Sequence, residues 1–303
     1  NMQQLSNLDA SFLHLENDHS PMHVGGVMIF DVPAQGQMTL ERLREHVKSR
    51  LQTARVFRQR VVMPVWHLDA PWWVEDEHFD LDNHLSHEVV DIPLSNEGLS
   101  TLSADFFSKH LRRDRPLWEL VFVEQASKSA PRKNQKGAAF ALLIKVHHAA
   151  LDGVSAEAVI AGLLDMSVTP RVLPADEWQP ETPPGQAELL LRQLWLVPEW
   201  KMQGRNLLHT GRVLGWRFLK RTVSRDERTL PYYFTAPRTI FNAPINSERL
   251  YCTAELSLSR IKSLKNQLPG VTVNDVVLGI CAGAVRRYLS DDGAMPTRSL
   301  VAM

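Results

Sequence analysis

Residues 138–153 read AAFALLIKVHHAALDG, and this stretch decides the fold prediction. A nearly unbroken apolar run, residues 138–146, leads into two adjacent histidines at 147 and 148, and an Asp-Gly pair follows after three intervening residues. A run of this kind, bounded by turn residues, predicts a buried strand at residues 138–147. A second apolar segment, residues 117–125, lies before the polar and basic loop 127–137, so the two segments predict a β-hairpin. Residues 154–164 then predict a short apolar helix.

Strand-like and helix-like segments alternate outward from this stretch. Strands are predicted at residues 24–32, 60–66 and 73–75. Helices are predicted after Thr39, which provides an N-cap, and at residues 95–111. This order predicts an α/β domain in which helices cover a sheet. Five prolines between residues 170 and 184 mark the end of this domain, since prolines are unfavourable inside a helix or a central strand.

A second alternating pattern begins near residue 250, with a strand at 250–258 and helices at 259–268 and 274–289. We therefore predict three parts: an N-terminal domain at residues 1–180, a linker at 181–247, and the incomplete start of a second domain at 248–303. The apolar run 299–303 has no polar tail, so we expect the protein to continue beyond Met303.

Charge and cysteine content narrow the function classes. The chain has 34 Lys and Arg residues and 34 Asp and Glu residues, so its formal net charge is zero. No overall positive potential attracts nucleic acid, and nucleic acid is not predicted as a partner. The 2 cysteines provide no disulfide framework, which favours a reducing cytoplasm. The start has no signal-peptide pattern, and no stretch approaches the roughly 20 apolar residues that span a bilayer. We expect a cytoplasmic chain that does not cross a membrane.

The two histidines of the central stretch are not equivalent. Side chains alternate across a strand, so His147 and His148 are expected to point in opposite directions, and a metal site that uses both is not predicted. His148 continues the apolar face of the strand, where burial would keep the imidazole neutral, as a general base requires. Asp152 and Gly153 are expected to shape the following turn. A histidine at a strand end is also a common core residue, so these positions alone leave catalysis open.

Several ordered motifs carry a resemblance to a known family. HHAALDG, residues 147–153, fits the HHxxxDG signature of the wax ester synthase/diacylglycerol acyltransferase family and of peptide-synthetase condensation domains. Residues 8–13 and 21–26, LDASFL and PMHVGG, resemble the opening strand segment of bacterial wax ester synthases. Pro116, Leu117 and Trp118 match that family's PLW motif, and Asn274 with Asp275 matches its ND motif. The order and spacing favour wax ester synthases over condensation domains.

The resemblance implies a fold and an activity. The fold would be a two-layer, chloramphenicol acetyltransferase-like α/β fold of two halves, of which this chain holds the first half and the beginning of the second. The activity would be the direct transfer of an acyl group from long-chain acyl-coenzyme A to a fatty alcohol or diacylglycerol. His148 would be the general base of this reaction. No bound cofactor is implied, because acyl-coenzyme A is a co-substrate. A condensation-type enzyme using carrier-protein thioesters and amines, or a non-catalytic lipid-surface protein, remains an alternative.

The supporting motif residues also have structural explanations. Pro116 could set φ before a strand, and Leu117 and Trp118 could be core as well as pocket wall. Thr272 and Asp275 have the spacing of a capping box, so Asp275 could do no more than begin a helix beside Asn274. Gly25 and Gly26 within a strand predict a bulge or a close backbone approach, for example to a ligand.

Residues 186–225 form a basic segment, in which apolar residues and tryptophans alternate with Lys and Arg while Glu188 and Glu199 are the only acidic residues. A basic amphipathic helix pair could rest peripherally on the inner membrane or on a lipid droplet, where an ester product would accumulate. Ordinary linking helices with solvated charges explain the pattern slightly better, and both interpretations remain open.

Overall fold

The computed structural model describes residues 2–31, 38–64, 70–126, 138–151, 156–165, 167, 169, 171–178, 182, 185, 187–188 and 236–300. The chain divides into two compact units. The first comprises Asn1–Val197 with Asn246–Thr253, and the second comprises Pro198–Ile245 with Ala254–Met303. Within the described ranges, no helix has the length and apolar character needed to cross a bilayer.

The first unit is a mixed α/β structure. Its elements are, in chain order, β1 (Gln3–Gln4), α1 (Asn7–Leu15), β2 (His23–Asp31), α2 (Leu40–Arg50), β3 (Gln59–Val62), β4 (Trp72–Glu75), β5 (Leu85–Val90), α3 (Ser100–Ser108), β6 (Trp118–Gln125), β7 (Ala138–His147) and α4 (Ala156–Leu163). Thr39 is the N-cap of α2 as predicted, and its hydroxyl accepts the Arg42 amide at 3.3 Å.

The larger sheet has the strand order β2-β7-β6-β5. β7 runs antiparallel to both neighbours, and β5 is parallel to β6. The hairpin prediction is confirmed by the β6–β7 pairing, in which Trp118 faces Val146. β7 has the predicted bounds, because its apolar run ends where the histidine pair begins a turn. The loop 127–137 lies outside the described residues.

Both faces of this sheet are covered. On one face, Leu142 and Ile144 of β7 pack with Leu43 and Val47 of α2 and with α4. On the other face, Ala141 and Leu143 pack with Phe106 of α3. The strand alternation predicted for β7 is therefore confirmed for its apolar residues. The family resemblance implied two layers, whereas this sheet lies between helices on either side.

A smaller sheet, with the order β1-β4-β3, packs with α1 and the turn after β7. Leu13 of α1, Trp73 of β4 and Ala149 of the turn share this core. The prediction of a strand at residues 8–13 is wrong, because they form α1. Ser6 caps the helix by accepting the Asp9 amide at 3.1 Å, and this pairing stabilises a helical first turn.

The second unit contains α5 (Leu258–Asn266) and α6 (Val273–Asp291), close to the two predicted helices. The strand predicted at residues 250–258 is wrong, since residues 250–257 have no regular secondary structure. An alternating sequence forms a strand only beside a partner that supplies hydrogen bonds, and no described strand pairs with this segment. The helix predicted at 95–111 is shorter, because α3 ends where Lys109 turns extended (φ −85°, ψ 131°).

Candidate active site

The turn that follows β7 brings the two histidines together with parts of the chain that are distant in sequence. His147 is the last residue of β7, and His148 begins a 3₁₀ turn, His148–Ala150. The His147 amide donates to the Leu117 carbonyl at 3.0 Å, and the His148 amide donates to the Met22 carbonyl at 2.8 Å. The turn is therefore fixed by backbone hydrogen bonds to the residues that immediately precede β6 and β2, the two strands beside β7.

His147 is fully buried and has both ring nitrogens facing protein. Its Nδ1 accepts the Ala149 amide at 3.0 Å, so the ring proton belongs on Nε2. Nε2 faces Glu16 Oε1 at 3.5 Å, an ion-pair distance that is too long for a good hydrogen bond. The mainly structural role of His147 stays a prediction.

His148 is half-buried, and its ring stacks on Phe12 of α1 with centroids 4.0 Å apart and planes inclined by 22°. We expected His148 to continue the apolar face of the strand. Instead the strand has ended and the ring faces α1, because the chain turns at His147. Among the described residues, no hydrogen-bond partner occupies the His148 imidazole. Asp152 and Gly153 lie outside the described residues.

Glu16, the C-cap of α1, was not identified from the sequence. Burial alone would raise its pKa, but the nearby His147 ring and the hydrogen bonds from Arg113 and from the Met22 amide lower the pKa to about 2. Its carboxylate is therefore ionised throughout the pH range in which enzymes usually work. The Arg113 guanidinium binds Glu16 Oε2 through Nε at 3.1 Å and through Nη2 at 2.7 Å.

The PLW segment lies in the core. Pro116 is buried, and Leu117 and Trp118 are 0% exposed. The indole of Trp118 donates to the Phe57 carbonyl at 3.1 Å and stacks on His84 with centroids 4.6 Å apart. The segment meets the candidate site through the Leu117 carbonyl that accepts the His147 amide. It acts on the turn through the backbone.

Gly25 and Gly26 differ in their surroundings. A Cβ at Gly25 would lie 2.2 Å from the Ile144 carbonyl oxygen and 2.4 Å from the Phe107 ring, so a close approach is confirmed there. At Gly26 no described atom lies within 4 Å of such a Cβ. The predicted bulge is wrong for both glycines, because the β2–β7 register shifts only between Phe30 and Asp31.

Gly25 and Phe107 line an open pocket of about 330 Å³ within the first unit. Its wall also includes His23, Arg249 and Tyr251, the last with its ring centroid 6.1 Å from that of Phe107. Burial and the positive charge of nearby Lys145 lower the pKa of His23 to about 4. His23 Nε2 donates to the Phe107 carbonyl at 3.0 Å.

Lys145 is a second buried polar residue that sequence analysis did not single out. Its ammonium is 0% exposed and donates to the carbonyls of Phe106 at 3.0 Å and Lys109 at 2.7 Å, and it pairs with Glu119 at 3.0 Å. Burial lowers the pKa of Lys145, and Glu119 opposes that effect. The charge therefore caps the C-terminal end of α3 on the side of the sheet where the pocket lies.

Asn274 and Asp275 belong to the first turn of α6 in the second unit, and both are exposed. Asp275 and Thr272 form the predicted capping box, in which Asp275 accepts the Thr272 amide at 2.8 Å and Thr272 accepts the Asp275 amide at 3.2 Å. The Thr272 hydroxyl and amide lower the pKa of Asp275.

Two further predictions concern other parts of the chain. The basic segment, residues 186–225, lies almost wholly outside the described residues, so surface binding stays a prediction. In the described ranges, no three His, Cys, Asp or Glu side chains come together in a way that could hold a metal ion.

Comparison with known proteins gives a consistent result. Residues 5–277 match the model of the wax ester synthase/diacylglycerol acyltransferase catalytic domain. The probable diacylglycerol O-acyltransferase tgs2 of Mycobacterium tuberculosis is 32% identical over 311 residues, which cover 97% of this chain and 62% of that protein. O-acyltransferase WSD of Acinetobacter baylyi is 30% identical over 309 residues, which cover 100% of this chain and 63% of that protein.

A solved structure is similar in fold. The wax ester synthase/diacylglycerol acyltransferase of Marinobacter aquaeolei VT8 superposes with a TM-score of 0.59 at 28% identity, covering 98% of this chain and 63% of that one. The chain thus spans about three fifths of the length of these relatives. The match extends over nearly the whole chain and includes every motif quoted above. The chain therefore belongs to the wax ester synthase/diacylglycerol acyltransferase family.

Proposed function

We propose that this chain carries the general base of an acyl-coenzyme A-dependent O-acyltransferase, which esterifies long-chain fatty alcohols and diacylglycerol. The observation that carries the proposal is the His148 imidazole. It is half-buried, fixed on a hydrogen-bonded turn and stacked on Phe12. The chain that carries it matches a catalytic-domain family, and relatives of the chain are named O-acyltransferases.

The proposed reaction is a direct transfer. His148 removes the proton from the acceptor hydroxyl as its oxygen attacks the thioester carbonyl, giving a tetrahedral intermediate. Collapse of that intermediate breaks the carbon–sulfur bond, and His148 returns the proton to the leaving thiolate. The products are an ester and free coenzyme A, and no covalent enzyme intermediate is needed. The sequence also contains no GxSxG nucleophile motif.

The other motif residues have supporting roles in this proposal. His147 and the Leu117 carbonyl hold the turn, together with Pro116 and Trp118 of the same segment. Asp152 and Gly153, which lie outside the described residues, keep their predicted role in shaping the turn. Gly25 borders the space for substrate, with Gly26 beside it in β2. Asn274 and Asp275 start a helix of the second half. Acyl-coenzyme A is the co-substrate, and no bound cofactor takes part.

The proposed architecture follows the family resemblance. Residues 1–180 form the first chloramphenicol acetyltransferase-like half, residues 181–247 the linker, and residues 248–303 the beginning of the second half. Long acyl chains suit an apolar channel, because each buried methylene contributes about 0.8 kcal/mol.

The test is His148→Ala in the whole protein, with exposed His78→Ala as a matched control. General-base help is typically worth about 10² to 10⁴ in rate, so ester formation should fall by that factor while the control is unchanged. The assay offers one acyl-coenzyme A with hexadecanol, diacylglycerol and an amine, and it measures thiol release and products. Near-wild-type turnover by His148→Ala would overturn the assignment, and amide as the main product would favour a condensation-type enzyme.

We also propose that residues 186–225 bind a lipid surface on which acceptor and product collect. Liposome flotation compares the whole protein with a variant whose eight Lys and Arg in this segment are changed to Gln. Loss of flotation only in the variant supports surface binding. Equal flotation of the two proteins removes it.

A further inference from the structure

Helix α1 contacts both histidines of the turn. Phe12, in its last turns, stacks on the His148 ring with centroids 4.0 Å apart. Glu16, which caps its C-terminal end, faces His147 Nε2 at 3.5 Å. Nothing in the HHxxxDG pattern itself specifies this helix, which lies about 130 residues earlier in the chain.

The Glu16 carboxylate collects donors from three segments. Oε1 accepts the Met22 amide at 3.2 Å and faces His147 Nε2, while Oε2 accepts the two guanidinium hydrogen bonds of Arg113. Its side chain is only 5% exposed, so these donors replace water almost completely. Arg113 also donates to the Leu13 carbonyl at 2.7 Å, which ties the end of α1 to the same cluster.

We propose that Glu16 is a positioning residue for the general base, with Phe12 of the same helix as its partner. The inference rests on the proposed role of His148. Glu16 holds the His147 proton on Nε2, which leaves Nδ1 free to accept the Ala149 amide at 3.0 Å and so to fix the turn His148–Ala150. Phe12 then sets the plane of the His148 ring.

The physical argument is one of donors and acceptors. If the His147 proton moved to Nδ1, that N–H would face the Ala149 N–H, and two donors would oppose each other in a buried place. The turn would have to rearrange, and His148 is its first residue. A shift of about 1 Å in a reacting group can cost about 10² in rate, so a distant carboxylate can control the base without touching substrate.

Glu16→Gln is the decisive substitution, because it keeps the shape and removes the charge. Its one oxygen cannot serve Arg113 on one side and both Met22 and His147 on the other, so one side must face the amide NH₂. We expect kcat to fall about 10- to 100-fold with KM for acyl-coenzyme A within about twofold. Glu97→Gln, at an exposed carboxylate, is the matched control and should leave both constants unchanged.

A second readout does not depend on activity. In whole protein labelled with ¹⁵N-histidine, the His147 signal, identified by its loss in His147→Gln, should show a protonated Nε2 and an unprotonated Nδ1. Glu16→Gln should add the tautomer protonated on Nδ1. A role in folding alone would lower the yield of folded protein and leave the tautomer and kcat of the folded fraction unchanged.

The outcomes separate this inference from the proposed function. If the wild-type protein transfers no acyl group, the proposed function is wrong, whichever tautomer His147 adopts. An active wild type overturns the positioning role if its His147 is protonated on Nδ1, or if Glu16→Gln keeps its kcat. Should Glu16→Gln not fold, Phe12→Leu takes its place, with a lower kcat expected at unchanged KM. An unchanged kcat in that variant also contradicts the proposal.

Discussion

The turn after β7 and the first turn of α6 each carry a short family motif, and their side chains are held in different ways. At the β7 turn, His147 is fully buried and contacts Glu16 and Ala149, while His148 stacks on Phe12. At the α6 start, Asn274 and Asp275 are exposed, and the polar contacts of Asp275 go to Thr272, three residues away.

This difference teaches which contacts a motif needs. A capping box is satisfied by its own helix turn, so it can form wherever the helix forms. The β7 turn depends on partners that are distant in sequence, and its geometry exists only when the surrounding unit has folded. We expect substitutions around the β7 turn to have large and cooperative effects and those at the α6 start to have small and local ones.

The largest effect on stability is expected for Lys145→Met. The change removes an ammonium that is fully buried and leaves the carbonyls of Phe106 and Lys109 and the carboxylate of Glu119 without it. Breaking a buried pair on one side typically costs about 3 to 5 kcal/mol, and we expect about 3 because Glu119 is 30% exposed and regains some water. Urea unfolding measures it.

The control for this prediction is Lys109→Met, at the C-terminal end of α3. The Lys109 side chain is 65% exposed and pairs with exposed Asp105, so its loss should cost no more than about 0.5 kcal/mol. If the two variants lose the same free energy of unfolding, the prediction is wrong, because burial of the ammonium would then not determine its contribution to stability.

A smaller effect is expected for Gly25→Ala. The new Cβ would meet the Ile144 carbonyl oxygen, a backbone atom that cannot move without opening the β2–β7 pairing. Overpacking of this kind costs about 1 to 3 kcal/mol, and we expect about 2. Gly26→Ala is the neighbouring control and should change stability by less than about 1 kcal/mol. If both variants unfold at the same urea concentration, the close approach at Gly25 has no energetic weight.

The elements that could be predicted from sequence are those with local signals. β7 is an apolar run that ends in a turn, Thr39 is the N-cap of α2, and Thr272 is the N-cap of α6. Helix α1 has such a signal in Ser6 and Asp9, but the sequence analysis did not use it and placed residues 8–13 in a strand segment on the family resemblance alone. β5 was not predicted because its exposed central residues Ser86, His87 and Glu88 hide the alternation of a buried strand.

The candidate site was only half predictable for a physical reason. The histidine pair could be found because its residues are adjacent. Glu16, 131 residues before His147, and Glu119, opposite Lys145 on the next strand, become partners only through tertiary structure. A charged residue in a sequence gives no sign that it will be buried, because the partner that permits burial is distant in the chain.

The smallest effect is expected for Thr272→Ala at the start of α6. Loss of an N-cap typically costs about 1 kcal/mol, and Thr272→Ser, which keeps the hydroxyl, should lie within a few tenths of wild type. Because Asp275 hydrogen-bonds to the amide and hydroxyl of Thr272, the change tests whether the ND motif does more than cap a helix. A loss of about 1 kcal/mol with unchanged kcat would show a local role. If kcat falls in Thr272→Ala while stability changes by no more than a cap is worth, the motif contributes to the reaction. The contrast between the two turns would then be one of packing and not of function.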